Sequence, residues 1–316
     1  MLSEIVKALS TANSVLVAAH ESPDGDAIGS TLALGLALRE MGKEVVICNV
    51  DGVPDILSFL PGSDLVQTAV ADSARFDLGF LLDAGELRRA GFAMENHCAT
   101  LVNMDHHPHS DYGDIRYVDT GASATAVLIY RLLLACEHPL SLNVAKALYV
   151  GLISDTGSFR YSSANREAFT VAGELVDIGV DPWDVASHLY ESYPLKRMQL
   201  LGRVLASLDV SACGRYASVA LLQDDLRQVG ADMELSDGFV NYPRAIKGVE
   251  VALFIRQQQD NVYQFSFRSR GTIDVGSLAR SLGGGGHHNA AGAKIEAATC
   301  AAARTIAYHH LDRLLS

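Results

Sequence analysis

In the first half of the chain, apolar and polar positions fall into blocks that predict strands followed by helices. Residues 14–19 are apolar almost throughout, as a strand buried on both faces requires. Residues 27–41 then place Ile28, Leu32, Leu36 and Leu38 at helical spacing. Residues 44–50, 78–82 and 100–103 predict further strands. Residues 124–135, 141–153 and 165–178 predict helices, the last stopped by Gly179 and Asp181-Pro182. This alternation predicts an α/β domain built on a doubly wound, mainly parallel sheet with helices on both faces.

The alternation stops around residues 190–208, where Pro194 breaks the chain and residues 196–208 predict a connecting helix. Beyond it, residues 217–222 predict a strand. Residues 249–256 and 262–268 predict a hairpin turning at 257–261, and residues 277–282 a short helix. The four glycines Gly283–Gly286 predict a loop, and residues 298–315 a final helix. The expected division is a larger domain over 1–190, a linker over 191–209 and a smaller α/β domain over 210–316.

Composition narrows the function classes. With 316 residues there is room for two domains, each with its own core. A net charge of −12 argues against a groove for long nucleic acid, which needs an excess of Lys and Arg. The five cysteines are scattered without a CxxC pair, which predicts buried free thiols in a reducing compartment. No apolar run is long enough for a membrane span, and no basic segment precedes the first apolar run. The expected location is cytoplasmic, with no membrane partner. Trp183, beside Pro182, is expected to pack in the core or at the domain junction.

Candidate chemistry gathers at the strand ends. The turn after the first strand reads His20-Glu-Ser-Pro-Asp24-Gly-Asp26, with Pro23 and Gly25 shaping the backbone. The simplest alternative is a polar loop in which Asp26 caps the next helix. Two more strands run into Asp83 and into Asp105-His106-His107, and a helix leads into Asp155-Thr-Gly. In open α/β sheets the carboxyl edge is where ligands bind. Two like charges roughly 4 Å apart repel by about 4 kcal/mol at an effective dielectric of about 20, so five carboxylates in one crevice need compensation. Divalent cations supply it. An oxygen-rich set with some imidazole suits Mn²⁺ or Mg²⁺ better than a structural zinc. The set is large enough for two ions sharing a carboxylate, an arrangement suited to phosphoryl hydrolysis.

Taken together, His-x-x-x-Asp-x-Asp, the later lone Asp83, Asp-His-His and Gly-Leu-Ile-x-Asp-Thr-Gly resemble the four motifs of the DHH phosphoesterase superfamily. Gly-Gly-Gly-His-x-x-Ala-Ala-Gly near residue 290 resembles its DHHA1 substrate domain. The two-domain length is most similar to the NrnA-type bifunctional oligoribonucleases (nanoRNases) and phosphatases of adenosine 3′,5′-bisphosphate (pAp). The resemblance implies a cleft between the domains and two divalent cations, Mn²⁺ first, with Mg²⁺ or Co²⁺ as alternatives. It implies that His20, Asp24 and Asp83 hold one ion, and that Asp26, Asp83, His106 and Asp155 hold the other. It further implies that Asp105 orients His106, while His107 faces the scissile phosphate and assists the leaving oxygen. Gly284, Gly285, Gly286 and His287 would cradle a phosphate, with Arg268 as a clamp and Arg160 as a second basic contact. The implied substrates are pAp and short RNA of about two to five nucleotides, because few basic groups are available to hold more phosphates. Rival readings are a linear or cyclic dinucleotide phosphodiesterase (pApA, pGpG, c-di-AMP) and a non-catalytic nucleotide-binding regulator. A homodimer is left open.

Overall fold

Strands that are apolar on both faces must be covered on both, and six of them line up in the first part of the chain. The computed structural model describes residues 2–108, 110–286 and 288–315. The chain divides into two units, Met1–Ser192 and Tyr193–Ser316.

The first unit runs α1 (Leu2–Thr11), β1 (Ser14–Ala19), α2 (Gly25–Glu40), β2 (Glu44–Cys48), β3 (Val66–Gln67), β4 (Phe76–Leu82), β5 (Cys98–Asp105) and β6 (Ile115–Val118), followed by α3 (Thr125–Ala135), α4 (Leu142–Asp155), α5 (Arg166–Ile178) and α6 (Pro182–Tyr190). The strand order is β3-β2-β1-β4-β5-β6, and every pair is parallel. Chain order reverses between β1 and β4, so their carboxyl ends flank the switch point where such sheets bind ligands. The register Ala19↔Leu82 and Leu82↔Met104 brings the last residues of β1 and β4 level with the end of β5.

Alternate residues of β1 face opposite cores. Val15, Val17 and Ala19 join the main core with residues of all six helices, among them Ile5, Leu32, Leu128, Leu148, Leu175 and Val185. Leu16 and Ala18 join a smaller core with Leu81, Ala90, Met94 and Leu101. Where the alternation predicts helices on this face, the covering segments wind only short 3-10 turns, Leu87–Ala90 and Met94–Asn96. Two helices lie outside the expected set. Helix α1 is a short amphipathic helix burying Ile5 and Leu9. Helix α6 is capped by Asp181 and starts at Pro182, so the proline read as a stop is also a start. Its buried face carries Val185 and Leu189, while Trp183, expected to be packed, is 65% exposed.

The second unit runs α7 (Leu195–Ala206), β7 (Asp209–Val210), β8 (Tyr216–Leu221), α8 (Gln223–Val229), α9 (Asn241–Arg244), β9 (Val251–Gln259), β10 (Val262–Ser269), α10 (Val275–Ser281), β11 (Gly285–Gly286), β12 (Ala290–Glu296) and α11 (Cys300–Leu315). Its sheet order is β11-β12-β10-β9-β8-β7. The β9–β10 hairpin is antiparallel and β8–β9 is parallel. Phe265 and Phe267 point into a core with Leu278 and Leu311, while Ala252 and Phe254 face a second core with Leu200 and Phe239. Strand β12 falls where the sequence predicts loop, because its residues Ala-Ala-Gly-Ala carry no strand signal of their own. The thiols also depart from expectation. Cys48 is buried and Cys98, Cys136 and Cys300 are partly so, but Cys213 is exposed in the turn before β8. Among the described residues, no helix is long and apolar enough to cross a membrane.

At Gly29, helices α2 and α4 meet backbone to backbone. A Cβ at Gly29 would lie 2.6 Å from the Ala147 carbonyl oxygen and 2.8 Å from the Gly151 nitrogen. Helix propensity alone favours alanine over glycine by about 1 kcal/mol. Overpacking against backbone, which cannot swing aside, costs about 1–3 kcal/mol. Gly29→Ala is therefore expected to lower the thermal midpoint in a calorimetric melt. A raised midpoint would mean that α2 and α4 separate at no cost.

Candidate metal centre

Three strand ends and one helix end deliver the polar residues. His20 follows β1, Asp83 follows β4, Asp105 closes β5 with His106 and His107 behind it, and Asp155 is the last residue of α4. In the turn after β1, the Asp24 carboxylate accepts hydrogen bonds from the backbone N–H groups of Asp26 and Ala27, both at 3.0 Å, and so caps α2. Asp26, which the simplest alternative made the cap of α2, caps a different helix. Its Oδ2 accepts the Thr125 N–H at 2.6 Å, and its Oδ1 accepts the Ala126 N–H at 2.9 Å and the Ser30 hydroxyl at 3.0 Å. Ala124, at the N-cap of α3, has no side chain able to do this.

The buried Asp83 carboxylate is the hub. His20 Nε2 lies 3.7 Å from its Oδ2. His106 Nε2 and His107 Nδ1 lie 3.4 and 3.3 Å from its Oδ1, and the Thr125 hydroxyl donates to Oδ1 at 3.1 Å. Asp83 itself holds a left-handed backbone, φ 56°, a conformation that persists in a non-glycine residue only where its surroundings impose it. Three groups of three side chains come within ligand-sharing distance: His20, Asp24 and Asp83; Asp26, His106 and Asp155; and Asp83, His106 and His107.

The imidazoles are aimed by their other nitrogens. His20 Nδ1 is 2.8 Å from the Glu21 carbonyl oxygen, and its Nε2 faces Asp24 and Asp83. His106 Nδ1 faces the Ala122 carbonyl oxygen at 3.4 Å. Its Nε2 is buried 3.0 Å from Asp155 Oδ2, yet has hydrogen-bonding geometry toward neither Asp155 nor Asp83. A ring nitrogen between two carboxylates but aligned with neither is placed as a shared cation would require. Asp155 adds a second sign of fit. It sits at the C-terminal, negative pole of α4, where a carboxylate is unfavourable unless a cation faces it. These donors fit a divalent cation of the oxygen-preferring kind.

Asp105 behaves differently from expectation. It accepts from His107, through Nδ1 at 2.8 Å and the backbone N–H at 3.0 Å, and from the Gly85 N–H at 2.7 Å. It thus orients His107, whereas His106 is held by the backbone of Ala122. The reason is local: residues 105 and 107 close a tight Asx-type turn that leaves His106 pointing elsewhere. Motif spacing gave no sign of Thr125, Ser30, Ala122 or Arg89, whose guanidinium lies 3.1 Å from His20 Nδ1. Ser30 reaches Asp26 from one turn along α2, while Thr125, Ala122 and Arg89 arrive through tertiary packing.

Charge inside the cluster is balanced by protons when no metal is bound. Burial alone would raise Asp83, but the imidazoles of His106 and His20 overcome it and hold the carboxyl well below its usual range. Burial alone would lower His106, but Asp155 and Asp83 overcome that and push it up to about 11. Asp26 is raised well above the carboxylate range, by burial first and then by Asp83 and Asp155. His107 is raised chiefly by its hydrogen bond to Asp105.

Of the expected phosphate-contacting residues, Arg160 belongs to the first unit and the others to the second. Arg160 is exposed, in a turn that follows α4, and spends its Nε on the Gly157 carbonyl oxygen at 2.6 Å. In the second unit, Arg268 sits on β10 and its NH1 donates to the Phe267 carbonyl oxygen at 3.0 Å. Gly285 and Gly286 form β11 and pair with Gly292 and Ala291. A Cβ at Gly284 would overlap the Gly292 carbonyl oxygen, and one at Gly286 would lie 2.5 Å from Ala291 Cα. Packing against β12 therefore already demands glycine at both positions, while Gly285 faces open space. His287 lies outside the described residues.

Comparison with known proteins places these features. Residues 14–152 match the model described as the DHH family, N-terminal domain, and residues 215–311 match that of the DHHA1 domain. The chain is 32% identical over 298 residues to the bifunctional oligoribonuclease and PAP phosphatase NrnA of Thermus thermophilus, covering 94% of this chain and 88% of that one. It is 32% identical over 299 residues to the protein of the same name from Bacillus subtilis, covering 93% of each. An exopolyphosphatase-related protein from Bacteroides fragilis, known from its crystal structure, superposes with a TM-score of 0.90 at 28% identity, covering 99% of this chain and 95% of that one.

Cation uptake is expected to release protons. Because His106 is held protonated up to about 11, a metal at neutral pH must displace that proton. Raising the pH makes displacement easier, so affinity for Mn²⁺ should strengthen from pH 6 to pH 8, by up to about tenfold per pH unit for each proton displaced. Calorimetric titrations in buffers of different ionisation enthalpy measure the released protons. An affinity that does not change with pH would contradict the charge balance described above.

Proposed function

The chain belongs to the DHH family of phosphoesterases, and from that premise we propose that it removes nucleoside monophosphates from very short oligoribonucleotides and takes the 3′-phosphate from pAp. The observation that carries the reading is the sharing of Asp83 and His106 between overlapping groups of His and Asp side chains at the switch point of a parallel sheet. In this reading His20, Asp24 and Asp83 hold one divalent cation. Asp26, Asp83, His106 and Asp155 hold a second, and Mn²⁺ is the preferred ion for this donor set. When bound, such ions lower the pKa of water and neutralise charge building up on the phosphoryl oxygens.

The side chains of this chain do the rest. Thr125, His20 and His106 keep Asp83 ionised and oriented. Asp105 holds His107 by Nδ1, so the proton on that nitrogen is retained and the ring's other edge is left for substrate. With its pKa raised by Asp105, His107 carries the second proton that a departing ribose oxygen needs, and serves as general acid. Arg268, Gly284, Gly285, Gly286 and His287 are the proposed contacts to substrate phosphate, with Arg160 a weaker one because its Nε is already engaged. The named activities of the Thermus and Bacillus relatives, each matched over most of its length, support this choice of substrates.

Two measurements test the assignment. His107→Ala is expected to retain its metal, read by elemental analysis, while turnover falls by about 10²–10⁴-fold. Loss of an ion from this variant would instead make His107 a ligand within its group with Asp83 and His106. Substrate length gives the second test. Net charge is −12 and aromatic residues make up 7%, so the composition favours few phosphate contacts over a groove for a long strand. With Mn²⁺, turnover should favour pAp and strands of about two to five nucleotides steeply over a 24-mer. Equal efficiency on the 24-mer would overturn the proposed substrate class.

A further inference from the structure

One face of the first unit's sheet, the face that carries Leu16, Ala18 and Leu81, is covered by loops and 3-10 turns where a doubly wound sheet usually has helices. That cover leaves a space. A cavity of about 700 Å³ lies between the segment leading into β4 and the segment leading into β5. Pockets for small molecules span about 300–1,000 Å³ and combine apolar walls with a few convergent polar groups. Here Val50, Val70 and Phe92 supply the apolar wall, and Asp72, Arg75 and Asn96 the polar one.

Arg75 is fixed before any ligand arrives. Its Nη1 donates to the carbonyl oxygens of Asp72 and Ala74, both at 2.8 Å. Asp72 thus engages it through the backbone. Among the described residues, no carboxylate comes within 4.0 Å of this guanidinium, and its Nε and Nη2 make no hydrogen bond. Those two nitrogens form the edge that matches two oxygens of a phosphate. A guanidinium already held in place loses less freedom on binding. The aromatic wall is tied to the same point. His97 Nδ1 lies 3.1 Å from the Ala74 carbonyl oxygen that also holds Arg75, and the His97 ring meets the half-buried Phe92 ring edge-on at 6.0 Å. One peptide carbonyl therefore links the anion-binding fork to the aromatic pair.

This end of the cavity is remote from the metal centre. Arg75 and His97 stand just before β4 and β5, whereas Asp83 and Asp105 stand at the other ends of those strands. At the rise of an extended chain the separation is roughly 25 Å. A phosphate on Arg75 is therefore not one that the His and Asp cluster reaches.

We propose that this cavity is a second, non-catalytic site that binds a nucleoside monophosphate. Its phosphate lies on Arg75 and its base against Phe92, with Asn96 and Asp72 left for the polar edges of base and sugar. The ligand class follows from the walls and does not rest on the hydrolytic assignment. A ring without a phosphate leaves the Arg75 fork unused, and a phosphate without a ring leaves Phe92 unused.

The test uses the full-length protein stripped of metal, with labelled Arg and Phe side chains and AMP as the probe. Resonances are read at the cavity itself, so AMP bound anywhere else on the chain does not enter. The Arg75 Nε–H and Phe92 ring resonances should shift together and saturate with a single affinity. In Arg75→Gln the Phe92 shifts should require about tenfold or more AMP, the loss expected for a charge-assisted hydrogen bond. Inorganic phosphate should move Arg75 in the native protein but bind about tenfold more weakly than AMP, because it lacks the ring. Phe92 resonances unmoved by AMP overturn the proposal, and this arm needs no substitution. Unchanged affinity in a folded Arg75→Gln protein overturns it as well. Equal affinity for phosphate and AMP overturns the assignment of a nucleotide.

Discussion

Asp83 keeps its negative charge in a place that water hardly reaches, with only 1% of the residue exposed, and the first unit is arranged around that fact. An unpaired carboxylate there would cost several kcal/mol. The partners that prevent this come from different parts of the chain: His20 from the end of β1, His106 and His107 from the end of β5, and Thr125 from the first turn of α3. They converge only because β4 lies between β1 and β5. The strand order thus serves the charge, and the left-handed backbone of Asp83 is a strain that these partners hold in place.

The neighbouring carboxylates carry structural duties besides the chemical ones proposed for them. Asp24 closes the start of α2, and Asp26 reaches across to close the start of α3. Helix capping and metal ligation are usually rival explanations of an Asp in a turn. Here they are compatible, because each carboxylate has more lone pairs than the backbone N–H groups use. The two helix starts favour negative charge and the end of α4 at Asp155 disfavours it, so the cation's pull is needed most on the Asp155 side.

Much of this was legible in the sequence, and the limits of what could be read have physical causes. Strand ends bearing His20, Asp83 and Asp105 could be found because fully buried strands are contiguous apolar runs and metal-capable side chains follow them at once. The partner of Asp105 could not be found, since a shift of one residue in a turn decides whether it faces His106 or His107. Strand β12 was invisible because Ala290–Gly292 owe their extended form to pairing with β10, a tertiary effect.

The crossing of α2 and α4 has a mechanical meaning for the metal centre. Gly29 stands one turn along α2 from Asp26, and Gly151 one turn before Asp155 on α4, where a Cβ would already press on Asp26 Oδ1 at 2.9 Å. At Gly29 backbone bears directly on backbone, so no side chain at that point takes up slack. The spacing between these two carboxylates behaves like the gap of a caliper whose jaws are the helices themselves. For the ion proposed between Asp26 and Asp155, this steric contact limits how far the two carboxylates can close on it.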